Sequence, residues 1–247
     1  MPLLSSKPQY MKAAVLWKTG RKLKIVNKIK IPELTSGQVL VKIAYSGVCH
    51  SQLNEIKGLK GEDKFLPHTL GHEGTGVVLD AGPQVTKVKK DDRVIMTWIR
   101  GQGMDVPSSV YQRVDGSNVN SGAISTFMNY AVVSENRLVP FSKDFPMDEL
   151  SLLGCAIPTG AGMVLNEVKI LKNDKVVLIG LGAVGLGTLL ALKKQKIKNI
   201  AVIDKNKKRL NLANKLGVKY LFNSINEDQY LKEINKLIDK WLLNNVT

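Results

Sequence analysis

Two cysteines and a histidine of this chain stand inside short glycine-containing phrases that suit metal binding. Cys49 lies in YSGVCHSQL, His72 in LGHEGTGVV and Cys155 in LGCAIPTG, and the sequence has no other cysteine. Two thiolates and one imidazole make a zinc ligand set that leaves the fourth tetrahedral position open for water or substrate. Zinc in such a site activates a bound alcohol or polarises a carbonyl oxygen. The alternative is that these are unrelated buried side chains, which is the usual situation of a free cysteine.

The phrase GLGAVG, from Gly180 to Gly185, predicts a nucleotide-binding turn. It follows the β-branched run KVVLI and opens a leucine-rich helix. Gly180 would permit the tight turn, Gly182 would let a pyrophosphate approach the backbone, and Gly185 would let the helix pack on the strand. Asp204 ends the next predicted strand about twenty residues on, where a carboxylate binds ribose hydroxyls and repels a 2′-phosphate. The sequence therefore favours NAD over NADP, with a turn that serves packing alone as the alternative.

Short strands dominate the first part of the chain. MKAAVLW, LKIVNKIKIP and QVLVKIAYS are alternating or β-branched runs, separated by the turn pairs Thr19–Gly20 and Ser36–Gly37. Further strands are predicted in HEGTGVVLDAG, RVIM, STFMNYAVV and RLVPF, with a short helix over 50–58. Residues 100–123 are rich in Gly, Ser, Asn and Asp, which predicts an irregular loop. This pattern favours a compact β-barrel of short strands.

Strands and helices alternate from about Met147 onward. The strands KVVLI, NIAVID and KYLFN are separated by the helical patterns VGLGTLLALKK and KKRLNLANKLG, which predicts a parallel sheet wrapped by helices. The uncharged run Val176–Leu192 reaches the short end of a membrane span. Its glycines and its division into strand, turn and helix favour a soluble domain over a membrane anchor.

The composition is basic, yet it does not favour a nucleic-acid partner. The 247 residues include 36 lysines and arginines against 21 acidic residues, for a formal net charge of +15. No block interleaves arginines with aromatic residues, so we favour a lysine-rich solvated surface that would attract anionic substrates and dinucleotides. The polar start MPLLSSKPQYMK does not resemble a secretory signal. Two distant thiols fit a reducing compartment, and we expect a cytoplasmic protein with no membrane partner.

The four phrases together resemble the zinc-containing alcohol dehydrogenases of the medium-chain dehydrogenase/reductase superfamily. GVCHSxL, GHEGxGxV, GCxxxTG and GLGAVG occur in the family's order, and the resemblance runs from about Tyr10 to about Asn223. It implies a GroES-like β-barrel catalytic domain over 1–155 and the N-terminal half of a Rossmann domain over 156–247. It also implies hydride transfer between NAD and an alcohol, with an aldehyde or ketone as the small-molecule product.

The resemblance implies roles for five residues around one catalytic zinc ion. Cys49, His72 and Cys155 would be its ligands. Ser51 would pass the alcohol proton toward solvent, and Glu73 would lie beside the metal as an outer carboxylate or an occasional ligand.

The resemblance also implies three cofactor contacts besides the glycine turn and Asp204. His50 stands where the family has a basic contact to the pyrophosphate. Thr159 stands near the expected nicotinamide, and Arg209 stands near the adenosine ribose.

The chain departs from the family pattern at three places close to the predicted zinc site. Gln52 replaces the acidic residue that orients the zinc histidine, so we expect His72 to be held less firmly. Asn54 replaces the relay histidine of many members, so proton transfer would end at Ser51 and solvent. The loop Gly101–Gly122 has no cysteine, so we expect no structural zinc.

The predicted Rossmann part contains strands one to three only. A complete Rossmann domain has two mononucleotide halves, with the ligand at the switch point between them. We therefore expect a C-terminally shortened chain, in which the apolar strand KVVLI would be an unpaired edge that invites pairing with another chain. The alternative to an active enzyme is a catalytically inactive remnant that binds zinc and nucleotide and needs a partner chain. A homo-oligomer remains open.

Overall fold

A computed structural model describes residues 8–243, apart from the side chains of 227, 228, 242 and 243. Residues 1–7, which hold most of the segment used to argue against a secretory signal, lie outside it. The backbone contacts divide the chain into two compact units, Met1–Cys155 and Ala156–Thr247.

The described residues of the first unit form ten short strands. They form a closed barrel in the order β1-β2-β7-β8-β4 and a five-stranded sheet in the order β10-β6-β5-β3-β9. The strands are β1 Tyr10–Leu16, β2 Lys24–Lys30, β3 Gln38–Ser46, β4 His68–Thr69, β5 Glu73–Ala81, β6 Arg93–Thr97, β7 Val110–Arg113, β8 Asn118–Asn120, β9 Tyr130–Ser134 and β10 Leu138–Pro140.

The central strand β3 explains why this unit is stable. Val39, Leu40 and Val41 are fully buried, and β3 pairs antiparallel with both β5 and β9. Burying one such side chain stabilises the fold by about 1.5–3 kcal/mol. The strand therefore anchors the segment that follows it, which carries Cys49.

The prediction of an irregular loop over 100–123 is wrong for its second half. Strands β7 and β8 pair as an antiparallel hairpin and complete the closed barrel. The turn between them contains Asp115–Gly116, with Gly116 at a φ of 86°, and Asp-Gly is a strong hairpin signal. Tyr111 on β7 is buried, and its hydroxyl accepts a hydrogen bond from the Val132 N–H at 3.0 Å.

The first half of that segment is held by a buried carboxylate. Glu135 is 1% exposed. Its Oε1 accepts from the backbone N–H of Met104 at 2.8 Å, and its Oε2 accepts from those of Thr86 and Lys87 at 2.9 and 3.0 Å. Charge-assisted bonds of this kind are stronger than neutral ones. One side chain therefore ties the cysteine-free loop to the barrel.

The second unit is a parallel sheet in the order β11-β12-β13. The strands are β11 Lys175–Ile179, β12 Asn199–Asp204 and β13 Tyr220–Asn223. The α-helices among the described residues are α1 His50–Ile56, α2 Met147–Leu150, α3 Ala156–Gly162, α4 Ala183–Lys194, α5 Lys207–Lys215 and α6 Glu227–Leu243. Two separate apolar clusters lie on the faces of the parallel sheet, one with α4 and α5 and one with α6.

The alternation of strand and helix predicted for the second unit is confirmed. The apolar run Val176–Leu192 divides into β11, a glycine turn and α4. Leu189 and Leu192 of α4 are buried in the apolar cluster, whereas Val177 and Ile179 of β11 stay exposed. Over residues 8–243, no helix combines the length and the apolar character that a membrane crossing requires. A barrel-like unit followed by a parallel-sheet unit is the predicted fold class.

Candidate active site

The side chains of Cys49, His72 and Cys155 come together in the first unit. One ligand atom from each lies within 4.8 Å of the others, and all three residues are half-buried. Cys49 immediately precedes α1, and His72 immediately precedes β5. Cys155 follows a short 3-10 turn, Ser151–Gly154. Two sulfurs and one imidazole nitrogen at these separations can be bridged by a single metal ion.

Gln52 connects two members of this cluster. It is 3% exposed, and its Oε1 accepts from the Cys49 N–H at 3.0 Å. Its Nε2 contacts Nδ1 of His72. A carboxamide nitrogen only donates, so Nδ1 is the acceptor and the ring proton is on Nε2. That nitrogen lies 3.1 Å from Sγ of Cys155. Gln52 therefore contacts the ring of His72 directly, and the expectation that it holds His72 less firmly than an acidic residue would stays a prediction.

The electrostatics of the cluster favour a neutral imidazole and a protonated thiol before metal binds. Burial, followed by the charges of Cys49 and Glu73, raises the pKa of Cys155 to about 11. Burial and the charge of Lys60 lower the pKa of His72, although Glu55 opposes them. A metal ion must therefore displace the thiol proton, whereas the histidine is already in its metal-binding charge state.

Two glycines make room for Glu73 beside the cluster. Glu73 is 3% exposed at the start of β5. A Cβ on Gly154 would lie 2.6 Å from Cβ of Glu73, and a Cβ on Gly47 would lie 2.6 Å from its Cγ. Real side chains do not approach so closely, so larger residues at either position would push this carboxyl group aside.

A cavity of about 400 Å³ opens next to the three ligand atoms. This volume is within the range of small-molecule sites. The hydroxyl oxygen of Ser51 is buried at this cavity and has no hydrogen-bond partner among the described residues. The lining consists of Cys49, Ser51, Gln52, Glu55, Lys60, His68, Thr69, Leu70, Gly71, His72, Trp98, Gly122, Ile124 and Cys155.

The second unit contains the predicted glycine turn between β11 and α4. Gly180 has a φ of 86°, which only glycine adopts readily. A Cβ on Gly185 would collide with the carbonyl oxygen of Gly180, so the helix can approach the strand only with glycine there. A Cβ on Gly182 would meet nothing within 4 Å, so the backbone at the start of α4 is open to a ligand.

Asp204 lies beside this turn, at the end of β12. It is 5% exposed, and it accepts from the N–H groups of Leu181 and Asn206 at 2.6 and 2.7 Å. Burial acts to raise the pKa of Asp204, but these two bonds and the charge of Arg209 outweigh it, so the pKa lies below its ordinary value. Arg209 Nη1 is 3.6 Å from its Oδ2. Asp204 is therefore an ionised, fixed acceptor at the mouth of the turn.

The remaining predicted site residues are less tightly placed. His50 begins α1 but is exposed and does not line the cavity around Cys49. Thr159 is an exposed residue of α3 in the second unit, and the Arg209 side chain is 49% exposed. For these three residues, the geometry within each unit does not test the predicted contacts with the cofactor.

Sequence reasoning missed three charged or titratable residues that line the cavity, namely Glu55, Lys60 and His68. The sequence contained a separate signal for each of two of them. Glu55 follows Ser51 by four positions, which puts both on one face of a helix, and His68 is in the same LPHTLGHE phrase as His72.

Two family models match the chain, one in each unit. Residues 35–143 match the alcohol dehydrogenase GroES-like domain, and residues 176–236 match the TrkA-N domain. The S-(hydroxymethyl)glutathione dehydrogenase of Escherichia coli (strain SMS-3-5 / SECEC) is 32% identical over 254 residues, covering 93% of this chain and 68% of that protein. The chain belongs to the zinc-containing alcohol dehydrogenase family. It is thus an alcohol dehydrogenase-like oxidoreductase that spans about two thirds of the length of this relative.

Solved structures of this family show the same fold. Benzyl alcohol dehydrogenase from Acinetobacter calcoaceticus is 30% identical with a TM-score of 0.80, covering 94% of this chain and 68% of that one. An alcohol dehydrogenase zinc-binding domain protein from Burkholderia ambifaria is 26% identical with a TM-score of 0.81, covering 92% and 67%. Zinc and a nicotinamide dinucleotide are the cofactors expected of an alcohol dehydrogenase of this family.

Proposed function

We propose that this dehydrogenase binds one zinc ion on Cys49, His72 and Cys155 and transfers hydride between NAD and a small alcohol. The observation that carries the proposal is the convergence of the three ligand atoms, within 4.8 Å of one another, on the wall of a cavity large enough for a substrate. The donor set fits zinc, since two thiolates and an imidazole leave one coordination position open. When bound there, zinc would activate an alcohol or polarise a carbonyl group.

Three side chains around the ligand set would prepare the reaction. Gln52 links the backbone of Cys49 to the ring of His72 and so fixes the distance between two ligands. Ser51 has a buried hydroxyl without a hydrogen-bond partner among the described residues, and it would accept the proton of an alcohol at the open position. Glu73 would hold negative charge beside the metal, as an outer carboxylate or an occasional ligand.

The glycine turn of the second unit would bind the dinucleotide, which supplies or accepts the hydride. The open backbone at Gly182 and the N-terminus of α4, a helix of 12 residues, suit a pyrophosphate. Asp204 would accept from the ribose hydroxyls and repel a 2′-phosphate, which supports NAD over NADP. We also propose the family contacts of His50 with the pyrophosphate, Thr159 with the nicotinamide and Arg209 with the adenosine ribose.

The substrate class would be small primary or secondary alcohols and the matching aldehydes or ketones. The relatives' names mention S-(hydroxymethyl)glutathione and benzyl alcohol. The cavity wall combines the apolar side chains of Leu70, Trp98 and Ile124 with the polar groups already described. Since the segment Gly101–Gly122 has no cysteine and Glu135 already ties its first half to the barrel, we propose a single zinc per chain.

A turnover assay with the zinc-loaded chain tests this proposal. A panel of alcohols with NAD, and of aldehydes with NADH, should change the NADH absorbance. Ser51→Ala should retain zinc and lose at least about tenfold in kcat, because proton transfer by a positioned group contributes that much or more. Ser117→Ala, at an exposed turn, is the matched control and should be unaffected. A zinc-loaded chain without turnover on any substrate would favour the inactive, partner-dependent alternative.

A further inference from the structure

A second group of titratable side chains, two of which line the same cavity, lies outside the metal-ligand cluster. Glu55, Asp63 and His68 each place one nitrogen or oxygen within 4.8 Å of the others. Glu55 and His68 both line the cavity that also borders Ser51 and Cys49. The side chains of His68 and Asp63 are 7% and 11% exposed. These three residues are called the proton triad below.

The hydrogen bonds of His68 account for both of its ring protons. Nδ1 lies 3.1 Å from the carbonyl oxygen of Thr69, and a carbonyl only accepts, so Nδ1 carries a proton. Nε2 lies 2.7 Å from Oδ2 of Asp63 and 3.8 Å from Oε1 of Glu55. Two lone pairs would repel at the shorter distance, so a second proton lies between Nε2 and the carboxylate. The ring is therefore an imidazolium whose exchangeable proton is on Nε2.

The charges around this proton balance. Lys60 Nζ is 3.2 Å from the other oxygen of Glu55. The two carboxylates thus face two cations, with Glu55 contributed by α1, Lys60 and Asp63 by the segment after it, and His68 by β4. This network can hold one extra proton without leaving a net charge buried at the cavity wall.

Helix α1 connects the proton triad to Ser51. Residues four positions apart on a helix are neighbours, with Cβ atoms about 5–6 Å apart, and we expect one water molecule to bridge their side-chain oxygens. Ser51 and Glu55 are such a pair, and both face the cavity. The Ser51 hydroxyl has no hydrogen-bond partner among the described residues. Asn54, at the position where relatives carry a relay histidine, does not line the cavity.

We propose that Glu55, Asp63 and His68 form the proton relay of this dehydrogenase, exchanging protons with substrate through Ser51. The inference rests on the proposed function. In carbonyl reduction the Nε2 proton of His68 moves to Glu55, and Glu55 protonates the intervening water. That water protonates Ser51 as the Ser51 hydroxyl proton passes to the carbonyl oxygen, while the carbonyl carbon would take the hydride that the dinucleotide supplies. Alcohol oxidation reverses each transfer, and solvent at Glu55, whose side chain is 27% exposed, exchanges the one proton per turnover.

The imidazole spectrum tests the proton triad without any turnover. The chain has three histidines, so nitrogen NMR signals of the rings are assigned with three single variants. Both ring nitrogens of His68 should carry protons, because each of them faces an oxygen acceptor. Asp63→Asn should move the Nε2 signal into the range of unprotonated imidazole, because an amide can donate to a neutral ring. The exposed Glu62→Gln is the matched control and should change nothing. An unprotonated Nε2 in the wild type, or no change in Asp63→Asn, would overturn the relay.

Turnover of the zinc-loaded chain provides the second readout. His68→Gln and Glu55→Gln should each lower kcat about tenfold with little change in KM, and added imidazole should restore the rate of His68→Gln. Equal rates, or a loss that imidazole does not restore in a variant with full zinc content, would overturn the relay. A second zinc ion that disappears in His68→Gln would show a metal site instead. If the wild type binds zinc but does not turn over, the hydride-transfer proposal fails and the ring signals alone decide on the proton triad.

Discussion

Replacing Gln52 with glutamate should tighten zinc binding. The Gln52 amide has one acceptor oxygen, whereas both the Cys49 N–H and the Nδ1 proton of a zinc-bound His72 need an acceptor. Its Oε1 accepts from the Cys49 N–H at 3.0 Å, so its nitrogen faces Nδ1 of His72. An imidazole that binds zinc through Nε2 carries its proton on Nδ1 and needs an acceptor there. In the wild type that proton would meet an N–H donor. A carboxylate offers one oxygen to each donor.

The size of the effect follows from the burial of Gln52. Leaving a buried donor without an acceptor costs about 1–3 kcal/mol, and about 1.4 kcal/mol is a factor of ten in affinity. Gln52 is 3% exposed, so solvent has little access to the acceptor position. Burying the added carboxylate charge offsets part of the gain. We therefore expect zinc to bind about tenfold more tightly, at the lower end of the effects known for residues behind a metal ligand.

Competition against a chromophoric zinc chelator at neutral pH measures this effect. The Gln102→Glu protein is the matched control, because it adds the same charge at an exposed position of the first unit. Gln52→Glu should take zinc from the chelator at about tenfold lower free metal, and Gln102→Glu should match the wild type. Equal or weaker binding by Gln52→Glu would refute the reasoning, since it would mean that the amide already satisfies both donors.

Three further predictions concern other parts of the chain. Zinc affinity should rise at least about tenfold per pH unit between about pH 6 and pH 8, because zinc must displace at least the Cys155 proton. Burial, with nearby negative charges, raises the pKa of that thiol to about 11. A flat profile in the chelator assay would contradict this. Glu135→Gln should cost about 2 kcal/mol in urea unfolding at neutral pH. Burial acts to raise the pKa of Glu135, but three backbone N–H bonds lower it overall, so its stabilisation is present above the ordinary carboxyl pKa and the difference should vanish as the pH falls through the folded pKa. Gly185→Val should abolish NAD(H) binding in calorimetry while zinc content stays unchanged, because its side chain would collide with Gly180 and the zinc ligands lie in the other unit.

Much of the fold could be predicted because its signals are local. The second unit follows from hydrophobic runs whose lengths match single strands and helices, as in NIAVID, which is β12 without any shift of its ends. The convergence of Cys49, His72 and Cys155 could be predicted only because each stands in a phrase of the family. No spacing rule would otherwise bring position 155 to positions 49 and 72.

The hairpin β7–β8 and the proton triad could not be predicted from hydrophobic runs, although the pair Asp115–Gly116 is a local turn signal for the hairpin. The hairpin strands are only 4 and 3 residues long, too short for a periodic signal, and their pairing is decided by closure of the barrel. The proton triad depends on the path of the chain between α1 and β4. Gly58 and Gly61 adopt φ values of 74° and 93° there, which turn the segment back so that Asp63 reaches His68. The contact of Gln52 with His72 likewise depends on three-dimensional placement.

Zinc per chain, measured by native mass spectrometry, tests the central claim most directly. The wild type should bind about one zinc ion, and Cys155→Ser and His72→Gln should lose it, because each removes one of only three protein ligands. His50→Gln is the matched histidine control and should keep the full content, since His50 is exposed and does not line the cavity. No zinc in the wild type, or zinc retained by His72→Gln, would contradict the assignment of Cys49, His72 and Cys155 as the metal site.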